Sequence, residues 1–243
     1  MNIVAIVQAR MGSTRFPGKV LEMIGDMTML GRVVQRVQRA KSLSQVLVAT
    51  TILQADDTIV AECDRLGVSV FRGEEQDVLD RYYRAAQNER ADVIVRITSD
   101  CPLIDPVVID QVIGAFQTKI CDYASNTLEQ TYPRGLDTEV MSMEALSRAW
   151  SEASAPHQRV HVTPYLYQNP GLFRLASVKA DADYSQHRWT VDMPDDLEFV
   201  RRIYECFDGG SEFSWREVLT IVQSHPELAE MNRHVRQKNL EEG

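Results

Sequence analysis

Of the 243 residues only four are cysteine, and Cys63, Cys101, Cys121 and Cys206 form no CxxC pair. That spacing offers neither a zinc site nor a disulfide framework, and it predicts a reducing, cytoplasmic setting. Long apolar runs are also missing. No stretch approaches the roughly 20 residues of a membrane span, and residues 1–7 lack the basic region of a signal peptide. Positive charge is in deficit: the net charge of -9 argues against a nucleic-acid partner, whose phosphates demand a basic face. There is no GxGxxG fingerprint, no internal repeat and no flexible linker. What remains is an ordinary globular balance of 44% hydrophobic and 25% charged residues. At this length one sizeable core is possible.

The most informative stretch is the start, IVAIVQARMGSTRFPGKVL. An apolar β-branched run stops at a loop carrying Arg10, Arg15 and Lys19, interleaved with Gly12, Ser13, Thr14, Pro17 and Gly18. Such a run bounded by turn residues reads as a buried strand. Ligands of open α/β sheets bind at the carboxyl ends of strands. Guanidinium groups match phosphate oxygens, and lysine adds a compact charge. On an acidic background this cluster points to a small polyphosphate. It is not a P-loop: Gly12 and Gly18 enclose one residue too many, and Val20 follows Lys19. The alternative is a surface loop with solvated charges.

The first half alternates strand patterns (3–7, 46–50, 68–71 and 93–98) with helix patterns (29–40, 56–66 and 78–88). Asp56 and Asp57 suit a helix start and Gly67 a helix stop. This alternation predicts a largely parallel sheet with helices on both faces. In the second half, strands are expected at 123–126, 139–141, 173–178 and 188–191, and helices at 143–153, 159–167, 194–207 and 215–224. Residues 1–231 are expected to form one domain, and 232–243 a frayed polar tail. Tyr82, Tyr83, Met23, Met27 and Met29 read as packing residues.

Two carboxylates end strands: Asp100 in VIVRITSDCPLIDP and Asp192 in HRWTVDMPDDLEFV. Facing the basic loop, they suit Mg²⁺, which takes one or two protein carboxylates and fills its shell with water and phosphate oxygens. Simple helix capping is the competing explanation. Asp195 and Asp196 read as first-turn residues complementing the helix dipole. Arg72, just past a strand, reads as a ligand contact, whereas Asp77, Asp80, Arg81 and Arg84 read as an exposed ion-pair ladder. Arg134, Asp137 and Glu139 in YPRGLDTEV form a polar patch for a hydroxylated acceptor, or else an ordinary loop. His157 and His161 stand four apart, but Gln158 replaces the glutamate of HExxH, against a zinc site.

QARMGSTRFPGKVL, SDCPLID and RWTVDMPDDLE, in that order, resemble the cytidylyltransferase family, which includes the CMP-KDO and CMP-sialic acid synthetases. RGEEQDVLDRYYRAA, DYASNTLEQTYPRGLDTEV and HVTPYLYQNP are similar to the spore coat polysaccharide biosynthesis protein F branch. The resemblance spans residues 3–231. It implies an α/β nucleotide-diphospho-sugar transferase fold (GT-A, Rossmann-like), a three-layer sandwich with a mixed central sheet. It implies a CTP site at Gln8, Ala9, Arg10, Gly12, Ser13, Arg15 and Lys19 with Arg72 nearby, and Mg²⁺ on Asp100 and Asp192. Arg10, Lys19 and Asp100 would be catalytic, and Arg134, Asp137 and Glu139 would face the sugar. A homodimer fits the resemblance. The expected reaction is attack of a sugar hydroxyl on the α-phosphorus of CTP with release of pyrophosphate, for surface polysaccharide assembly. The competing functions are a glycosyltransferase on the same fold, for which Asp100-Cys101-Pro102 is not a DxD motif, and a non-catalytic nucleotide-binding regulator.

Overall fold

The computed structural model describes residues 1–237. In chain order the strands are β1 (Ile3–Gln8), β2 (Met23–Ile24), β3 (Met27–Thr28), β4 (Gln45–Thr51), β5 (Ser69–Gly73), β6 (Val93–Thr98), β7 (Tyr123–Ser125), β8 (Glu139–Ser142) and β9 (Leu175–Ser177). The helices are α1 (Met29–Val37), α2 (Asp57–Leu66), α3 (Val78–Asn88), α4 (Pro106–Thr118), α5 (Met143–Glu152), α6 (Pro156–His161), α7 (Pro164–Tyr167), α8 (Pro194–Glu205), α9 (Trp215–Ser224) and α10 (Pro226–Glu230). Seven strands form one sheet in the order β5-β4-β1-β6-β8-β7-β9, and β2 and β3 form a separate ribbon. β5, β4, β1 and β6 run parallel, β8 is antiparallel to both its neighbours, and β7 and β9 are again parallel.

Period-2 alternation divides each strand between two cores. Ile3, Ala5 and Val7 face one with α1, α2, α4, α8 and α9; Val4 and Ile6 face the other with α3 and α5. The expected three-layer α/β sandwich with a mixed sheet is therefore the fold found. From β1 the chain winds outward through β4 to β5, then returns to the other side of β1 as β6. The direction of winding reverses between β1 and β6, so their carboxyl ends flank the crevice where such sheets bind ligands.

Local chemistry sets the element ends. Asp105 caps α4 by accepting from Val107 N (2.7 Å) and Val108 N (3.3 Å), with Pro106 in the first turn. Gly67 stops α2 at φ 64°, in the left-handed region.

Several expectations change. Helix α4 was not anticipated. The expected helix over 159–167 is split into α6 and α7 at Val162, whose φ is 74°, just before Pro164. The expected strand at 188–191 contributes only a bridge between Arg134 and Arg188. Its backbone is used elsewhere: Trp189 N donates to Arg134 O (2.7 Å) and Val191 N to Asp100 O (2.8 Å). Of the residues read as packing, Tyr82 and Met29 are buried, but Met23 is 45% exposed. The tail differs too. Asn232 is buried and hydrogen-bonded, while residues 238–243 lie outside the described residues. No helix among the described residues is long and apolar enough to cross a membrane.

Candidate active site

The loop after β1 folds back on itself. Ser13 N (2.9 Å) and Gly18 N (3.0 Å) both donate to Met11 O, and Gly18 takes a φ of 75° that favours glycine. Asp56 anchors the loop, accepting from Met11 N (2.8 Å), Thr50 Oγ1 (3.0 Å) and Thr51 N (3.1 Å). Asp56 was expected to start a helix, but its side chain makes no capping bond to α2. At the start of the loop, Ala9 N donates to Ala49 O (3.1 Å), and the buried Gln8 Oε1 has no hydrogen-bond partner. A Cβ on Gly12 would stand 3.4 Å from Glu75 Oε1, so the loop after β5 closes over this one. Arg10 belongs to that side, 3.7 Å from Glu75.

Arg15, Lys19, Asp100 and Asp192 meet on the other side. The buried Lys19 ammonium donates to Asp100 Oδ2 (3.1 Å), Asp192 Oδ1 (3.0 Å) and Val191 O (2.7 Å). Asp192 Oδ2 forms an ion pair with Arg15 (2.8 Å) and accepts from Arg188 Nη2 (2.8 Å). Arg188 in turn donates to Asp196 Oδ1 through Nε (2.9 Å), and Asp196 Oδ2 accepts from Asp192 N (2.8 Å) and Met193 N (2.9 Å). Burial works to raise the Asp192 carboxyl, but Lys19, Arg188 and Arg15 outweigh it and hold it below the ordinary carboxylate range. Burial likewise works against the Lys19 charge, and Asp100 and Asp192 outweigh it, raising Lys19 above its usual value. The cluster holds three carboxylates, Asp100, Asp192 and Asp196, and three basic side chains, Arg15, Lys19 and Arg188.

Arg188 and Asp196 were not expected here. Asp196 looked like a dipole-complementing residue in the first turn of α8, yet it is fully buried. The only short-range signal was the spacing of four between Arg188, Asp192 and Asp196. Arg72 is drawn away from the loop: it donates to Thr51 O (2.8 Å), Leu53 O (2.9 Å) and Asp57 Oδ1 (2.6 Å), clamping the end of β4 to α2. Arg72→Ala is therefore expected to lower stability by about 1–2 kcal/mol, read as a fall in the thermal unfolding midpoint. An unchanged midpoint would contradict the clamp.

The residues expected to face an acceptor split. Gly135 lies at φ 106°, where a Cβ would come within 2.7 Å of the Trp189 carbonyl carbon. The glycine lets the loop bearing Arg134 and Asp137 press against the segment that leads to Asp192. Glu139, at the start of β8, pairs with Arg96 and accepts from Tyr123 Oη (2.5 Å), leaving the buried Arg96 Nε without a partner. Burial pushes the Asp137 carboxyl up to about 6, against the opposing pull of Gln130 and Arg134.

The sign of the Asp137 effect follows from that rise. The folded state favours the protonated acid, so its stabilising contribution is complete below the usual 3.8 and is lost as pH rises through about 6. Asp137→Asn should raise stability at pH 8 by about 2 kcal/mol, with the gain shrinking toward pH 4. Thermal unfolding at the two pH values measures it, and a pH-independent gain would contradict this origin.

A basic loop beside paired carboxylates, at the reversal point of a doubly wound sheet, fits the nucleotidyltransferase class. Residues 4–214 match the family model described as "Cytidylyltransferase". The chain belongs to the cytidylyltransferase family. It is 33% identical over 237 residues to the spore coat polysaccharide biosynthesis protein SpsF of Bacillus subtilis, covering 94% of this chain and 97% of that one. It is 32% identical over 217 residues to a 3-deoxy-manno-octulosonate cytidylyltransferase of Anaeromyxobacter dehalogenans, covering 85% and 87%. A solved cytidylyltransferase from Leptospira borgpetersenii serovar Hardjo-bovis superposes with a TM-score of 0.91 at 32% identity, covering 98% of this chain and all of that one.

Proposed function

We propose that this protein transfers CMP from CTP to a hydroxyl of a sugar acid for surface polysaccharide assembly. The observation that carries the reading is the single point at which Asp100, Asp192 and Val191 O converge on the Lys19 ammonium. That point lies at the carboxyl end of β6, beside the basic loop after β1. It is a place built for a cation among hard oxygen donors, and such donors suit Mg²⁺. Among the described residues no group of three or more acidic, histidine or cysteine side chains is arranged to hold a metal ion, so Asp100 and Asp192 would be the side-chain ligands and CTP would supply further oxygens. Mg²⁺ bound there would neutralise triphosphate charge and polarise the acceptor hydroxyl.

The chain's own residues divide the rest of the work. Arg15 and Lys19 turn from the carboxylates to the triphosphate when nucleotide enters, joined by Arg10 and the loop amides around Ser13. The acceptor oxygen bonds to the α-phosphorus as the bond to the β-phosphate bridging oxygen breaks, and pyrophosphate and the hydroxyl proton leave. Arg134 and Asp137 hold the acceptor in line, which is most of what phosphoryl-type transfer requires, while Glu139 stays in its buried pair with Arg96. The relatives named for spore coat polysaccharide and for 3-deoxy-manno-octulosonate support this acceptor class.

The test is a pyrophosphate-release screen crossing the four nucleoside triphosphates with sugar acids and sugar phosphates. The expected result is release with CTP and a sugar acid only. Release with a sugar phosphate alone would overturn the acceptor class. Tight CTP binding with no release in any pairing would favour a non-catalytic regulator.

A further inference from the structure

The segment following α10 turns back over the site. The Asn232 amide nitrogen donates to Arg188 O (3.0 Å) and to Asp196 Oδ1 (3.0 Å), and the residue is only 3% exposed. Asp196 Oδ1 is also the acceptor for Arg188 Nε (2.9 Å). The amide thus fixes Arg188 twice, at its main chain and, through Asp196, at its guanidinium. Further along, Gln237 Oε1 accepts from Arg188 Nη1 (2.6 Å), and Arg236 O accepts from Arg15 Nη1 (3.5 Å). Apart from Lys19, the side chains that orient the Asp192 carboxylate are Arg15 and Arg188, and residues 232–237 brace both from the far side.

We propose that Asn232 is a positioning residue: it locks the Asp196–Arg188 pair so that Asp192 Oδ1 stays turned toward the point it shares with Asp100. The inference rests on the reading that Asp100 and Asp192 serve the metal–nucleotide complex. The chemistry favours an amide. Both groups it serves are oxygen acceptors, and an NH₂ offers one proton to each without adding charge. A carboxylate at this position would repel Asp196, and an ammonium would add a fourth cation to a balanced cluster. Without the amide, Asp196 loses a buried donor and Arg188 is freed to swing away from Asp192. Removing a group that orients a metal-binding side chain commonly costs about 10–100-fold in metal affinity.

The experiment is titration calorimetry of CTP into the full chain, with and without Mg²⁺, alongside thermal unfolding. It compares the natural chain with Asn232→Leu, Asn232→Ser and Asp192→Asn. CTP affinity of the natural chain should rise on adding Mg²⁺, and Asp192→Asn should lose that rise. Asn232→Leu should lose roughly tenfold of it while metal-free CTP affinity stays within about twofold; Asn232→Ser, keeping one donor, should fall between. A merely structural role would lower thermal stability and leave the ratio of the two affinities unchanged. If Asp192→Asn loses the rise and both Asn232 variants keep it, the assignment of Asn232 is overturned and the metal reading stands. If the natural chain shows no rise, or Asp192→Asn retains it, the metal reading falls and this inference with it.

Discussion

Asp192→Asn is expected to cut turnover by roughly a thousandfold, the scale of losing a group that organises charge at the reacting phosphate. The variant keeps the size of the side chain and removes its charge, so Lys19, Arg15 and Arg188 are left facing a neutral amide. Asp100 still pairs with Lys19 and Asp196 still pairs with Arg188, so the fold should survive with a loss of about 2 kcal/mol. The pH dependence is specific. The folded Asp192 carboxyl lies below its usual 3.8, so its stabilising contribution is present above that value and is lost as pH falls through the folded value. The stability gap between the natural chain and Asp192→Asn should therefore be full at pH 7 and close in strong acid. Near-normal turnover in this variant would exclude the carboxylate from the chemistry.

Lys19→Met should be the second severe change. It removes the cation proposed to bind phosphate, and CTP affinity should fall on the order of a hundredfold. It also leaves Asp100 and Asp192 close together without the ammonium between them. Breaking a buried pair from one side typically costs about 3–5 kcal/mol. Here partial exposure of Asp100 and the arginines on Asp192 place the expected cost at the lower end. The Lys19→Met deficit should be largest near neutral pH and shrink in acid as Asp192 protonates. Lys19→Arg restores charge, but a planar fork cannot make the same three contacts from one atom. It should recover stability more than CTP affinity. Equal CTP affinity in Lys19→Met and the natural chain would remove the loop from the triphosphate site.

Much of this site was legible because its signals are local. A buried strand ending in Arg, Ser, Gly and Lys declares a strand-end loop, and Asp100 and Asp192 sit where apolar runs stop. What brings them together is the reversal of strand order between β1 and β6, and that order is a long-range property. Arg72 shows the cost of not knowing it. Its strand-end position resembles that of Arg15, but β5 is the sheet edge, two strands away from β1, and there the guanidinium clamps backbone instead. Asn232 gave no signal, since its partners Arg188 and Asp196 are more than thirty residues distant in sequence. Helix α4 was overlooked for a different reason: its apolar run hides amphipathic periodicity, although Asp105-Pro106 carried a start signal.

The most direct measurement of the central claim is to follow phosphorus label from CTP in the presence of Mg²⁺ and a sugar acid. The account predicts that label at the α-position moves onto the sugar together with cytidine, while label at the γ-position leaves as pyrophosphate. Label from the γ-position on the sugar, or cytidine released as free CMP with no sugar adduct, would contradict it.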